Sequence, residues 1–205
     1  MEKITVLIAD DHTVVRQGLR ALLQTERDIE IVGEAETGRQ AVRLARTLKP
    51  DVVVMDIALP QLTGLEATRQ IVKEVPSSRV LILSSYSDDE YVHQLTEAGA
   101  AGYLLKQADI SDVVRAIREA KKGNAYYSPA ISKRLADHYR ETVVRGVPVK
   151  KRTDLLSSRE LEVLQLIAEG EGNKQIAATW RSASRRLRGT ASASWTSLPS
   201  TTLPV

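Results

Sequence analysis

ITVLIADDH, residues 4–12, is an apolar run that stops abruptly at two adjacent carboxylates, Asp10 and Asp11. Three later runs end in the same manner. Val52–Met55 meets Asp56, Val80–Leu83 meets Ser84, and Tyr103–Leu105 meets Lys106. Short, continuous aliphatic stretches between helical patterns mark strands buried on both faces of a parallel sheet. In an open parallel sheet, ligands bind beyond the carboxyl ends of the strands, so the four endings converge on one edge. Three carboxylates, a hydroxyl and an ammonium gathered there suit a divalent metal and a phosphoryl group.

Working outward, each strand is followed by a helix. Thr13–Gln24 places Val14, Val15, Leu19, Leu22 and Leu23 on one face. Strand Glu30–Ala35 leads to helix Gly38–Leu48, with Ala41, Val42, Leu44, Ala45 and Leu48 inward. Pro50 breaks the chain before Val52–Met55. Gly64 opens a helix to about Val75, stopped by Pro76. Strand Arg79–Leu83 leads to helix Asp89–Ala98, and strand Gly102–Leu105 to helix Ile110–Lys122, with Gly99 and Gly123 as the helix stops. Five right-handed βα units predict a doubly wound, five-stranded parallel sheet of order 2-1-3-4-5. No glycine-rich phosphate fingerprint follows the first strand, which weighs against the nucleotide-binding versions of this fold.

Composition narrows the field. The chain has 205 residues, 42% of them hydrophobic, room for one mid-sized domain with a true core plus a smaller one. It has no cysteine, which excludes disulfides, zinc-thiolate sites and thiol catalysis. The absence of a long apolar stretch and of a leader-like N-terminus predicts a cytoplasmic protein with no membrane contact. Residues 1–122 hold 16 Lys/Arg against 19 Asp/Glu, whereas residues 123–205 hold 13 against 7. That basic second part favours a polyanion partner, nucleic acid first.

Past Gly123 the alternation stops. Ser128-Pro129 is a helix start, and the pattern Ile131, Leu135, Tyr139, Val143 carries a linker helix to about Val144. Tyr126 and Tyr127 are expected to pack at its beginning. The basic, Gly/Pro-containing stretch 145–153 closes a linker covering 123–153. In the second domain, 154–178, Ser157 or Ser158 caps a helix bearing Leu161, Val163, Leu164, Leu166 and Ile167, closed by Gly170 and Gly172, and a short helix Asn173–Ala178 follows. Residues 179–205, rich in Ser, Thr, Arg and Pro, lack any sustained period and are expected to be disordered.

At this point the motifs VLIADDH (6–12), VVVMDIALPQLTGLEA (52–67), LILSSY (81–86) and AGYLLK (101–106) resemble those of the receiver domains of two-component response regulators, of the NarL/FixJ type. The resemblance covers residues 1–122 and implies the flavodoxin-like receiver fold. It implies that Asp56 accepts the phosphoryl group and that Asp11 and Asp56 bind Mg2+ directly. Asp10 acts through water, and the Ala58 backbone carbonyl completes the protein ligands. By the same resemblance Lys106 pairs with the phosphate, and Ser84 and Tyr103 form the switch pair. Gln107 stands where many receivers have proline, as is usual in this branch. The implied partners are a sensor histidine kinase and a second copy of the chain, joined through the receiver. The chain is expected not to be an enzyme beyond its own phosphorylation and dephosphorylation. A phosphatase with an aspartyl nucleophile needs a second acid two positions on, where Ala58 stands. His12, His93 and His138 lie on different elements and are read as surface or packing residues. Glu34, Glu36 and the Arg39/Arg43/Arg46 stripe are read as solvated faces.

LLSSRELEVLQLIAEGEGNKQIAA, residues 155–178, resembles the opening of a LuxR-type helix-turn-helix, which makes the second domain all-α and incomplete. No recognition helix is evident in 179–205, and a frameshift near Ala178 is hypothesised as the cause. Two outputs follow: a phosphorylation-controlled transcription factor, or a phosphoryl sink unable to read DNA specifically because base readout needs that helix. Arg181, Arg185, Arg186 and Arg188 could still hold DNA phosphates nonspecifically.

Overall fold

A computed structural model describes residues 3–85 and 89–136, together with residues 165, 166 and 169; within the fourth helix, side chains are described from Val92 onward. Two compact units are present, Met1–Gln165 and Leu166–Val205, and the first contains everything described below. The expected continuation of the linker helix to Val144, His138, the helix-turn-helix segment apart from those three residues, and the tail 179–205 with its four arginines lie outside the described residues.

Five βα units follow one another: β1 (Ile4–Ala9), α1 (Thr13–Leu23), β2 (Ile29–Ala35), α2 (Gly38–Leu48), β3 (Val52–Met55), α3 (Gly64–Glu74), β4 (Arg79–Ser84), α4 (Asp89–Glu97), β5 (Gly102–Leu105) and α5 (Ile110–Lys121). All pairings are parallel, in the order β2-β1-β3-β4-β5 foreseen from the pattern. The sheet does not stop at five strands. Tyr126–Tyr127 forms β6, which pairs parallel to β5 with Gly102 opposite Tyr126. A Cβ on Gly102 would lie 2.3 Å from the Tyr126 carbonyl oxygen, so glycine is what lets the sixth strand approach. Two residues are too few for a periodic signal, which explains why the tyrosines were expected at a helix start instead. Residues 129–136 are helical, as Ser128-Pro129 indicates, and Ile131 is fully buried.

Alternate residues of each strand feed two separate cores. Leu7, Val53, Met55, Val80, Ile82 and Tyr103 face α2, α3, α4 and Ile131. Val6, Ile8, Val52, Val54, Leu81, Leu83 and Leu104 face α1 and α5. Burying both faces is why the strands are unbroken apolar runs rather than alternating ones.

One expected helix face is corrected. α1 buries Arg16, Leu19 and Leu23, while Val14 is 82% exposed and Leu22 is exposed as well. At about 100° per residue, Val14 falls nearly opposite the 16–19–23 stripe. Leu48 of α2 is likewise exposed, though Ala41, Val42 and Ala45 are buried as expected.

Behind the sheet, Asp51 ties three elements together. One carboxylate oxygen accepts the Thr5 amide and hydroxyl, both at 2.9 Å, and the other accepts the Lys121 ammonium at 2.5 Å. Burial opposes the charge, but the hydrogen bonds from Lys121 and Thr5 outweigh it and hold the carboxyl below its ordinary value. A depressed carboxylate contributes stability above the unfolded value of about 4, and that contribution disappears as pH falls through the folded value. Asp51→Asn is therefore expected to cost about 1 kcal/mol at neutral pH. In urea titrations, the gap between variant and wild type should narrow steadily below about pH 4. A gap that stays constant down to about pH 2 would refute the ionic role.

Candidate functional site

The parallel ladder continues past the strands and fixes the site's backbone. The Asp10 amide donates to Ala35 O at 3.0 Å, the Asp56 amide to Ala9 O at 2.8 Å, and the Lys106 amide to Ser84 O at 2.9 Å. Each polar ending is thus seated by its neighbour strand, and Asp10, Asp56, Ser84 and Lys106 lie along one edge. Asp10, Asp56 and Ser84 are buried, and Asp11 is exposed at the rim.

Behind Asp56 the chain makes a close turn. Thr63 caps α3 by accepting the Glu66 amide, and the Gly64 amide donates to the Ile57 carbonyl at 2.8 Å. A Cβ on Gly64 would lie 1.9 Å from the Asp56 carbonyl oxygen. The threonine-glycine pair at 63–64 is therefore what lets α3 begin directly beneath the acidic residue.

Lys106 Nζ lies 2.6 Å from Asp10 Oδ2 and 2.9 Å from Asp56 Oδ2, bridging two carboxylates with one ammonium. Burial alone would lower the lysine. Its hydrogen bonds to Asp10 and Asp56, reinforced by their charges, prevail and hold it above its ordinary value. The other Asp56 oxygen accepts the Ile57 amide at 2.7 Å. Asp10 Oδ1 accepts the His12 amide at 2.9 Å.

Carboxylate oxygens of Asp10, Asp11 and Asp56, with a ring nitrogen of His12, all lie within 4.8 Å of one another. Lys106 pairs with two of the three carboxylates, and one ammonium against three carboxylates leaves the site anionic. A cluster of hard oxygen donors with excess negative charge fits Mg2+, which takes few protein carboxylates and keeps several waters. Ala58 is exposed in the loop two residues beyond Asp56. Tyr103 is buried in the core that contains Val92, Leu95 and Ile131. The set expected from the strand endings is brought together.

His12 is the residue that strand-by-strand reasoning set aside. Its Nδ1 lies 2.8 Å from Asp11 Oδ1 and 3.3 Å from Asp10 Oδ1. The signal was its adjacency to the acidic pair rather than any spacing to another histidine. His93 instead faces Glu97 on α4 at 3.6 Å. Glu34 and Glu36 are not merely solvated: both pair with the buried Arg16, and Glu34 also accepts from Arg20 at 2.6 Å.

Residues 6–118 match the response regulator receiver domain family, and residues 154–181 match the luxR family of bacterial regulatory proteins. The chain belongs to the response regulators. Similar curated proteins include the transcriptional regulatory protein LiaR of Bacillus subtilis, 41% identical over 173 residues, spanning 84% of this chain and 80% of LiaR. The response regulator protein VraR of Staphylococcus aureus is 37% identical over 178 residues, spanning 85% and 80%. Among solved structures, a LuxR-family two-component response regulator from Aurantimonas sp. SI85-9A1 aligns with TM-score 0.64 and 34% identity over 68% of this chain and 99% of that one. The signal receiver domain of the NarL regulator from Mycobacterium tuberculosis aligns with TM-score 0.58 and 32% identity over 60% and 100%. This regulator is thus a two-component protein with a receiver and a LuxR-type DNA-binding region, and its relatives are named as regulators of transcription. No helix among the described residues is long and apolar enough to cross a membrane.

Proposed function

We propose that the regulator takes a phosphoryl group on Asp56 from a sensor histidine kinase and that this controls its DNA-binding output. The observation that carries the reading is the buried Asp56 carboxylate, 2.9 Å from Lys106 and clustered with Asp10 and Asp11. A carboxylate oxygen of Asp56 attacks the donor's phosphorus in line. An O–P bond forms, the bond from phosphorus to the donor's imidazole nitrogen breaks, and that nitrogen keeps the electron pair. Asp10, Asp11, Asp56 and the Ala58 carbonyl would hold Mg2+, with Asp10 acting through water; when bound, the ion neutralises charge on the transferring oxygens.

Lys106 then exchanges its carboxylate partners for a phosphoryl oxygen, and the Ser84 hydroxyl donates to another. Movement of Ser84 frees space beside Tyr103, which is already buried in the core that also holds Ile131. Ser128, immediately after β6, donates its amide to the Tyr103 carbonyl at 3.1 Å, so the start of the linker is tied to the switch residue. In this reading the chain works as a cytoplasmic switch, and the receiver pairs with a second copy of itself.

The test is intact-mass spectrometry after incubation with acetyl phosphate and Mg2+. Wild type should gain one phosphoryl group that disappears on standing, and Asp56→Ala should gain none. Equal gain in both proteins would remove Asp56 from its role.

A second output reading draws support from the luxR-family match, which spans only residues 154–181. A regulator whose recognition helix is lost, for instance through a frameshift near Ala178, accepts phosphoryl groups without reading bases. Gel shifts at two salt concentrations separate the outputs. Sequence-specific retention at physiological salt supports transcriptional control, and binding that vanishes uniformly with salt supports the sink.

A further inference from the structure

The buried stripe of α1 begins with a guanidinium. Arg16 is 5% exposed, in line with Leu19 and Leu23. A charge in a core-facing position is unfavourable unless it is well paired, and an aliphatic residue would pack there at less cost. The contacts of Arg16 supply a reason for its presence. Nη1 donates to the Asp10 backbone carbonyl at 2.7 Å. Nη2 donates to the Glu36 carboxylate, and Nε lies 3.6 Å from Glu34 Oε2. Both glutamates belong to the carboxyl end of β2 and the residue just after it, the same stretch whose Ala35 carbonyl accepts the Asp10 amide at 3.0 Å.

The peptide unit joining Asp10 and Asp11 is planar, so holding its oxygen fixes the orientation from which the Asp11 side chain departs. Asp10 is already held on its other side by its amide bond to β2 and by Lys106. We propose that Arg16 is a positioning residue for divalent-cation binding: anchored by Glu34 and Glu36, it clamps the Asp10–Asp11 peptide so that both carboxylates face one ion. This inference rests on the reading that Asp10, Asp11 and Asp56 hold a divalent cation.

Charge and positioning predict opposite signs, which makes the inference decidable. On Coulomb terms alone, deleting a cation beside an anionic site tightens metal binding. Loss of the clamp loosens it. Calorimetric titration of the full-length chain with MgCl2 is therefore the measurement. Arg16→Met should weaken Mg2+ binding about tenfold, the scale on which residues supporting metal ligands act. Arg16→Lys should recover part of that loss, because an ammonium can still donate to the carbonyl. Arg20→Met removes a cation from Glu34 without touching Asp10, and should stay within about twofold of wild type.

Unchanged or tighter binding in Arg16→Met overturns the inference, as does an equal loss in Arg20→Met. Should circular dichroism show Arg16→Met unfolded, Arg16→Lys carries the test, because it keeps the charge and loses the fork: weakening of several-fold supports the clamp and none overturns it. A wild type that binds no Mg2+ overturns the cation-site reading and the clamp together. Wild-type binding that is insensitive to Arg16 overturns the clamp alone.

Discussion

Lys106→Met is expected to destabilise the receiver in the absence of divalent ions and to bind Mg2+ more tightly than wild type. The two effects have one cause. A single ammonium bridges Asp10 and Asp56, both almost entirely buried. Removing it leaves two carboxylates confronting each other out of water, and breaking a buried pair by deleting one partner costs about 3–5 kcal/mol. The loss should appear as a lower urea midpoint in chelator with an unchanged slope. The wild-type ammonium is held above its ordinary value, so its contribution is fully present below the unfolded lysine value of about 10 and is lost only as pH rises through the folded one. Mg2+ meets a more anionic site in the variant and should bind about tenfold more tightly, which narrows the deficit by about 1.4 kcal/mol at saturating ion. Phosphoryl uptake should nevertheless fall by about two orders of magnitude, because the donor aimed at the phosphoryl oxygens is gone. A variant as stable as wild type in chelator, or one with weaker Mg2+ binding, contradicts this account of Lys106.

Most of the fold could be read from residue pattern because the strands are buried on both faces. Val52–Met55 and Gly102–Leu105 carry no alternation to confuse, and the polar residues at the ends of four of the strands mark both the strand end and the site. The same feature made Asp10, Asp56, Ser84 and Lys106 visible together: a parallel sheet turns four distant endings into neighbours. What escaped the pattern has specific causes. β6 is held by a glycine-permitted approach to β5, and neither two tyrosines nor one glycine makes a period. The inward face of α1 was misjudged because a hydrophobicity count favours Val14 over Arg16. The packing instead buries the guanidinium, whose carboxylate partners come from β2 and the residue after it. His12 escaped because its partners are its own chain neighbours, a contact that depends on local rotamers rather than on spacing.

Two glycines of this chain, each within a helix, should respond to alanine with opposite signs. In general, alanine in place of a helical glycine stabilises by about 0.5–1 kcal/mol, because glycine has more backbone freedom to lose on folding. Gly18 lies within α1 with nothing within 4 Å of an added Cβ, so Gly18→Ala should show that gain in full. Gly64 opens α3, but its Cβ would fall 1.9 Å from the Asp56 carbonyl oxygen and 2.8 Å from the Ile57 Cα. Both are backbone atoms of the segment that carries the acidic site, so no flexible side chain can yield. The helix start must shift away or the Asp56 peptide must rotate, and either course loses the Gly64 amide bond to Ile57. Overpacking of this kind costs about 3 kcal/mol or more, which outweighs the propensity gain several-fold. Urea titration of the two variants measures the contrast directly. Because the displaced backbone is that of Asp56, the folded fraction of Gly64→Ala should also take up the phosphoryl group more slowly, whereas Gly18→Ala keeps the wild-type rate. If Gly64→Ala proved as stable as wild type, α3 could not begin where the structure puts it, and the placement of Asp56 against that helix would have to be abandoned.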